Sequence, residues 1–417
     1  MKVSVVNLGC KVNRVESDTI AAAYLQNGYS LCDIADADTI IVNTCTVTEE
    51  ADKKTRKTIR RVLRENIHAK VLVTGCAAVI EPEFYESLDA RITVVDKHEL
   101  LDQSVHGIEH LEDHPLLRIG SQFPTRVGVK VQDGCNHSCT YCIVHVARGK
   151  AWSRSPEHIR NEIYLLAKQG VKEVVLSGID LGSYSYLDTS GKQNKRITLA
   201  GLLRLILKDL DLAGLQETRL RISSIEPRSI SKDFISLLAE SQGRICRHLH
   251  LPLQSGSSRV LKEMNRPYNA QDYFDLVQLL QTHVGDLSLT TDIIVGFPGE
   301  SEKDFEETCA LVEKVGFTKV HVFRYSKRQG TPAAIREDQI EPQVKEHRAH
   351  YLISIADKLR KAYALRHSDR FERVVVEQLG WGMSESYYKM HIDPSIPVGC
   401  VIEAPLAHCI DLGLENR

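Results

Sequence analysis

Apolar residues open the chain in three short runs, VSVVNL, TIIVNT and VLVTG, separated by helix-like segments such as RVESDTIAAAYLQNGY. Each run is continuous rather than alternating and rich in β-branched side chains, which marks strands buried on both faces of a parallel sheet. Residues 1–106 are therefore predicted to form a parallel α/β domain of the flavodoxin-like kind. A less regular stretch, Leu101 to Pro124, reads as a connector. A second alternating series follows, with strand candidates VGVKVQDG, EVVLSGI, RLRISSI, HLHLPLQ, TTDIIVGF and KVHVFRYS. Helical segments such as PEHIRNEIYLLAKQG, LAGLLRLILKDL and EKDFEETCALVEKVG lie between them. Six such units predict an open (β/α)6 barrel within 121–349, with its chemistry at the carboxyl ends of the strands. A long helix, about Gln343 to His367, leads into RFERVVVEQLGWGMSESYYKMHIDPSIPVGCVIEAPL, which reads as short strands with Gly/Pro turns. The segment 350–417 is thus predicted to hold the end of that helix and a small all-β domain.

With 417 residues, 42% of them hydrophobic, the chain can bury ample core. It contains no run of about 18 uncharged apolar residues, and MKVSVVNL passes directly into foldable sequence, so a cytoplasmic protein without a membrane partner is expected. The net charge of −2 gives no global attraction for nucleic acid, which confines any such contact to local patches. Two basic segments qualify: Lys53 to Lys70 holds eight Lys/Arg against one acid, and Gln343 to Arg373 holds eight against four.

The eleven cysteines change the picture most. In a reducing compartment, scattered thiols serve as metal ligands or nucleophiles more often than as disulfides. The opening runs end in NLGC, NTC and TGC, which sets Cys10, Cys45 and Cys76 just past three parallel strands. Loops after such strands gather on one edge of the sheet, so the three thiols are expected to converge, with the following helix N-termini lowering their pKa. Cys32 falls outside this pattern and reads as a small core residue. The strongest local signal is KVQDGCNHSCTYCIVHVARG, where Cys135, Cys139 and Cys142 form a C-x3-C-x2-C loop. Three thiolates at this spacing wrap one face of a cubane iron–sulfur cluster and leave one iron open. The competing zinc site needs a fourth ligand, His137 or His145, and no second pair stands at zinc-ribbon spacing. Cys246, Cys309, Cys400 and Cys409 have no ligand spacing and read as packing or surface thiols.

The C-x3-C-x2-C loop, with Tyr141 before its last cysteine, resembles the signature of radical S-adenosylmethionine enzymes. The ordered series NLGCKVN, NTCTVT, TGC, QDGCN, RISSIEP, LHLPLQSGS, LKEMNR and DIIVGFPGE resembles the methylthiotransferases from Met1 to about Pro332. A weaker likeness to the RNA-binding TRAM β-domain covers the end. GCKVN, TCTVT, ARGKAWSRS and GIDLGSY resemble the subgroup that methylthiolates threonylcarbamoyl-adenosine beside the tRNA anticodon, at position 37. GCQMN would point to isopentenyl-adenosine and GCPKN to a ribosomal protein, and these remain the alternative substrates. A non-catalytic two-cluster protein is the remote alternative.

The resemblance implies two 4Fe-4S clusters, one on Cys135, Cys139 and Cys142 and one on Cys10, Cys45 and Cys76, with S-adenosylmethionine as the second cofactor. It places Tyr141, Ser177, Gly178, Gln254, Ser255, Val295 and Gly296 against that molecule. Glu226 is a buried carboxylate at a strand end, either functional or an anchor. Implied partners are a tRNA anticodon stem-loop, an unidentified electron donor and a sulfur source. His145-Val146 departs from the Pro-Tyr common in relatives, and the terminal β-domain, ending AHCIDLGLENR, is short.

Overall fold

A computed structural model describes residues 1–102, 125–189 and 194–410. The connector expected at 101–124 lies outside them from residue 103 onward, as do the domain boundaries at 106 and 121 and the last seven residues of the tail. The described chain forms two compact units. One holds the N-terminal residues together with Asp133–His137 and Cys142–Ala151; the other holds 125–132, Ser138–Tyr141 and the described residues from Trp152 onward. No helix among the described residues is long and apolar enough to cross a membrane.

The first unit runs β1 (Lys2–Asn7), α1 (Lys11–Gln26), β2 (Ser30–Leu31), β3 (Thr39–Thr44), α2 (Glu49–Glu65), β4 (Lys70–Gly75), α3 (Cys76–Ile80), α4 (Pro82–Glu86), β5 (Ile92–Val94) and α5 (Lys97–Asp102). Its five strands are parallel in the order β2-β1-β3-β4-β5, the flavodoxin-like arrangement expected. Residues of β3 alternate between two cores. Ile40 and Val42 pack with Ile59 and Val62 of α2, whereas Ile41 packs with Ile20 and Tyr24 of α1. Both faces are buried, which is why these strands read as unbroken apolar runs. α6 (Val144–Arg148) also belongs to this unit.

In the second unit the six expected barrel strands are all present: β6 (Arg126–Lys130), then, after the two-residue strands β7 (Gln132–Asp133) and β8 (Trp152–Ser153), β9 (Glu173–Ser177). A hairpin of β10 (Ser185–Asp188) and β11 (Lys195–Thr198) precedes β12 (Arg219–Ile222), β13 (His248–His250), β14 (Ser288–Val295) and β15 (Lys319–Arg324). Their main helices are α7 (Pro156–Lys168), α8 (Leu199–Leu212), α9 (Lys232–Glu240), α10 (Ser258–Glu263), α11 (Ala270–Val284) and α12 (Glu302–Val315). The ladders β12-β9-β6 and β13-β14-β15 are parallel. Bridges Leu220↔Ile245 and Ser224↔His250 join them into one arc. No pairing closes β6 onto β15 among the described residues, so the barrel is open.

The long helix is α13 (Pro342–Arg366), and it lies along β15. Beyond it, β16 (Phe371–Gln378), β17 (Trp381–Ser384), β18 (Lys389–His391) and β19 (Val401–Pro405) form an antiparallel sheet in the order β18-β17-β16-β19. This small all-β domain docks at the amino ends of the barrel strands. Glu173, the first residue of β9, is fully buried and ion-paired with Arg219 (2.7 Å) and Arg221 (2.5 Å) of β12. Those arginines reach on to the β-domain, Arg219 donating to the Arg373 carbonyl at 2.6 Å and Arg221 to the Ser384 carbonyl at 2.9 Å. The β-domain thus attaches at the end opposite the carboxyl ends, where barrels of this kind carry their chemistry.

Candidate functional site

Strand order in the first unit reverses at β1 and β3, and Cys10 follows the one and Cys45 closely follows the other. Open parallel sheets bind ligands in the crevice at such a switch point. Cys76, the first residue of α3, follows β4 on the same edge. Cys10 is exposed, and Cys45 and Cys76 are buried. Two glycines make the close approach possible. A Cβ on Gly9, whose φ is +117°, would lie 2.6 Å from Cys45 Cβ, and one on Gly75, at φ +92°, would lie 2.5 Å from the Thr44 carbonyl.

The expected lowering of thiol pKa by helix N-termini does not hold for Cys45 and Cys76. Burial pushes Cys45 up to about 11, only partly offset by the Val47 backbone N–H, and the neighbouring Cys10 and Cys76 add to the rise. Burial raises Cys76 as well, against the nearby charge of Arg148. Dehydration of a compact thiol group outweighs one turn of helix dipole. A bound cation would favour the thiolate forms of Cys45 and Cys76, and the influence of Cys10 on both of them places the three thiols near one another on this edge. Three soft donors on one edge, one open to solvent, fit one face of a cubane cluster. Cys32 packs partly buried against the sheet core, as expected.

Sequence reasoning did not single out the polar frame around these thiols. Asn13, fully buried, donates to the Leu8 carbonyl (3.0 Å) and the Thr44 carbonyl (2.7 Å), which ties the end of β1 to the end of β3. Arg148, with a side chain only 2% exposed, donates through Nε to Cys76 Sγ at 3.2 Å and through Nη1 to Glu16 at 2.7 Å and Asp133 at 3.2 Å. Lys97 closes the group on Asp133 (2.6 Å) and Glu16 (3.3 Å). The signal was present in the motif strings themselves, since NLGCKVN ends on Asn13, QDGCN contains Asp133 and ARGKAWSRS contains Arg148.

Within the C-x3-C-x2-C loop, Cys135 Sγ accepts the His137 N–H and Cys142 Sγ the Val144 N–H, both at 3.4 Å. Cys139 is buried, and its Sγ accepts from Arg266 Nη1 at 3.3 Å. Backbone and guanidinium donors aimed at sulfur suit thiolates that ligate a cluster. Arg266 also binds Glu226 and the Tyr268 hydroxyl, a contact that fits the anchoring role for Glu226.

The other expected residues lie along the carboxyl ends of the barrel strands in the second unit. Tyr141 packs with Val260, Met264, Phe297 and Tyr325. Ser177 ends β9, and a Cβ on Gly178 would stand 2.8 Å from Gln132 Oε1. Gln254 adopts φ +71°, a left-handed backbone that a non-glycine residue keeps only under constraint, here its amide on the Asp292 carbonyl at 2.8 Å. Ser255 is buried with its hydroxyl 3.3 Å from that of Thr308. Val295 ends β14, and the Gly296 N–H donates to Glu300 at 2.6 Å. Cys246, Cys309 and Cys409 are buried and Cys400 half-buried.

The two basic segments differ. On α2, Lys57, Arg60 and Arg64 are exposed and make no ion pair among the described residues. Much of the second segment is consumed internally: Arg348 by Glu300 and Glu302, Arg370 by Glu372, and Arg360 by the Thr318 carbonyl and the Tyr388 ring.

A family model described as the radical SAM superfamily matches residues 129–312, and one described as uncharacterized protein family UPF0004 matches residues 2–96. The threonylcarbamoyladenosine tRNA methylthiotransferase MtaB of Bacillus subtilis is 37% identical over 391 residues, covering 89% of this chain and 84% of that protein. MtaB of Chlamydia pneumoniae is 36% identical, with coverages of 94% and 91%. The tRNA-2-methylthio-N(6)-dimethylallyladenosine synthase of Acetivibrio thermocellus is 34% identical, with coverages of 92% and 81%. Among solved structures, the radical S-adenosylmethionine methyltransferase TsrM from Kitasatospora setae shares the fold, with a TM-score of 0.56 at 15% identity over 80% of this chain and 77% of that one.

Proposed function

The chain belongs to the radical S-adenosylmethionine methylthiotransferases, and on that premise we propose that it adds a methylthio group to carbon 2 of N6-threonylcarbamoyladenosine at position 37 of tRNA. The observation that carries the chemistry is the convergence of Cys10, Cys45 and Cys76 at a sheet switch point, in a chain whose first barrel strand leads into a second three-thiol loop. In this reading each set holds one 4Fe-4S cluster. When bound, the clusters and S-adenosylmethionine supply the hydrogen-abstracting power and the sulfur.

The residues at the carboxyl ends of the barrel strands orient S-adenosylmethionine: Tyr141 beside its adenine, Ser177 and Gly178 at its methionine end, Gln254, Ser255, Val295 and Gly296 at its ribose and adenine. The exposed basic row of α2 holds phosphates of an anticodon stem-loop, whose unpaired adenine needs little energy to extrude. Segments 1–106, 121–349 and 350–417 act as sulfur-donating, radical-generating and accessory domains. An external one-electron donor and a sulfur source in the cytoplasm complete the cycle.

The threonylcarbamoyl substrate is supported by GCKVN and by the two MtaB relatives. A second reading, isopentenyl-adenosine, is favoured by the Acetivibrio relative. Mass spectrometry of tRNA nucleosides from cells lacking the gene separates them. The methylthio-threonylcarbamoyl nucleoside is expected to vanish and its unthiolated precursor to accumulate. Loss of the isopentenyl derivative instead would overturn the substrate assignment.

A further inference from the structure

We propose that Arg148 is a positioning residue for the cluster on Cys10, Cys45 and Cys76, raising its reduction potential through the Nε–H bond to Cys76 Sγ. The inference rests on the reading that these three cysteines hold a cluster. The contact is built rather than incidental. The Arg148 side chain is 2% exposed, and its guanidinium reaches four other side chains of the same unit: Cys76, Glu16, Asp133 and Asn13. Glu16 and Asp133 are themselves buried, and Lys97 stands on both. Two cations and two carboxylates cancel, so the sulfur experiences mainly the one N–H aimed at it rather than a net charge. An N–H donor stabilises negative charge on thiolate sulfur, and one-electron reduction of a cluster increases that charge. The reduced state therefore gains more from the bond, and the potential rises. Arg148 ends α6, six residues beyond Cys142, so the segment that carries the radical-cluster loop also supplies the donor to the other set of thiols.

A lysine at 148 keeps the charge that Glu16 and Asp133 require, but its single ammonium lacks the guanidinium fork that serves carboxylates and sulfur together. Losing a charged hydrogen bond of this kind alters the reduction equilibrium about tenfold, which is ~59 mV for a one-electron couple. The experiment uses the full chain carrying Cys135→Ala, Cys139→Ala and Cys142→Ala, reconstituted anaerobically and titrated with dithionite under electron paramagnetic resonance. About four irons per chain are expected, with R148K moving the midpoint to more negative potential at unchanged iron content. E16Q, which relieves the guanidinium of one competing carboxylate, is expected to move it the other way, a sign reversal that general loosening of the fold does not produce. A retained cluster whose midpoint responds to neither variant overturns the role of Arg148 and leaves the ligand assignment standing. If the triple variant binds no cluster, the ligand assignment itself fails and the inference with it.

Discussion

Asn13 and Asn43 are cross-linked within the first unit: Asn13 Nδ2 donates to Asn43 Oδ1 at 3.3 Å, and Asn43 Nδ2 donates back to the Asn13 carbonyl at 2.9 Å. Together with the Asn13 bonds to the Leu8 and Thr44 carbonyls, this holds Cys10 and Cys45 at the switch point in one register. Asn13→Ala removes two donors from buried carbonyls and is expected to cost roughly 2–4 kcal/mol. Asn13→Asp keeps the shape but not the donors and is expected to destabilise similarly. Urea unfolding of the apoprotein measures the loss. Iron analysis after reconstitution should show about half the irons gone; full iron and unchanged stability would refute the structural role.

Glu173 sits among Arg221, Arg219 and Arg126. Burial works to raise its pKa, but the three guanidiniums outweigh burial and hold the carboxyl well below its ordinary value of 4.5. A group depressed on folding stabilises the protein above its unfolded pKa, and that contribution fades as pH falls below about 4.5. Thermal melts of the apoprotein should therefore lose stability as pH falls below about 4.5. Glu173→Gln should lower stability by about 3–5 kcal/mol at pH 7, because it strands buried cations, and should flatten the acid limb. An acid limb unchanged in the variant would assign it to other carboxylates.

Arg266 bridges Cys139 Sγ and Glu226. Arg266→Gln leaves the partly buried Glu226 without its guanidinium and is expected to cost about 2–3 kcal/mol, whereas the Glu226→Gln, Arg266→Gln double variant should cost less than the single. Both variants should slow reductive cleavage of S-adenosylmethionine, since each lacks the donor on Cys139. A double variant that is destabilised but cleaves S-adenosylmethionine at the wild-type rate would show that the pair acts only as an anchor.

Lys57, Arg60 and Arg64 on α2 are exposed, so replacing all three by glutamine should leave the fold intact. If they meet phosphates, affinity for an anticodon stem-loop should fall at least tenfold at low salt, and the slope of log K against log salt should flatten by about 2. Equal slopes for variant and wild type would move the RNA contact elsewhere.

The sequence by itself determined the elements and their kind. Continuous apolar runs in TIIVNT and VLVTG required strands covered on both faces, and six strand–helix units required a barrel with its chemistry at one end. The positions of Cys10, Cys45 and Cys76 after three such runs were enough to predict that they meet, because parallel sheets deliver those loops to one edge. What pattern could not reach were contacts set by side-chain direction across long separations. Arg148 stands within the motif ARGKAWSRS, but only the fold brings it onto Cys76, 72 positions earlier. Glu173, Arg219 and Arg221 are charged residues within the strand runs EVVLSGI and RLRISSI, and only the docked β-domain makes their burial intelligible. The expected lowering of thiol pKa failed at Cys45 and Cys76 for the same reason: the helix ends were legible in the sequence, but the depth of burial that overrides them is a property of the packed structure. The two basic segments, alike in composition, also parted there, because α2 faces solvent while much of α13 and the segment after it spends its charge on internal partners.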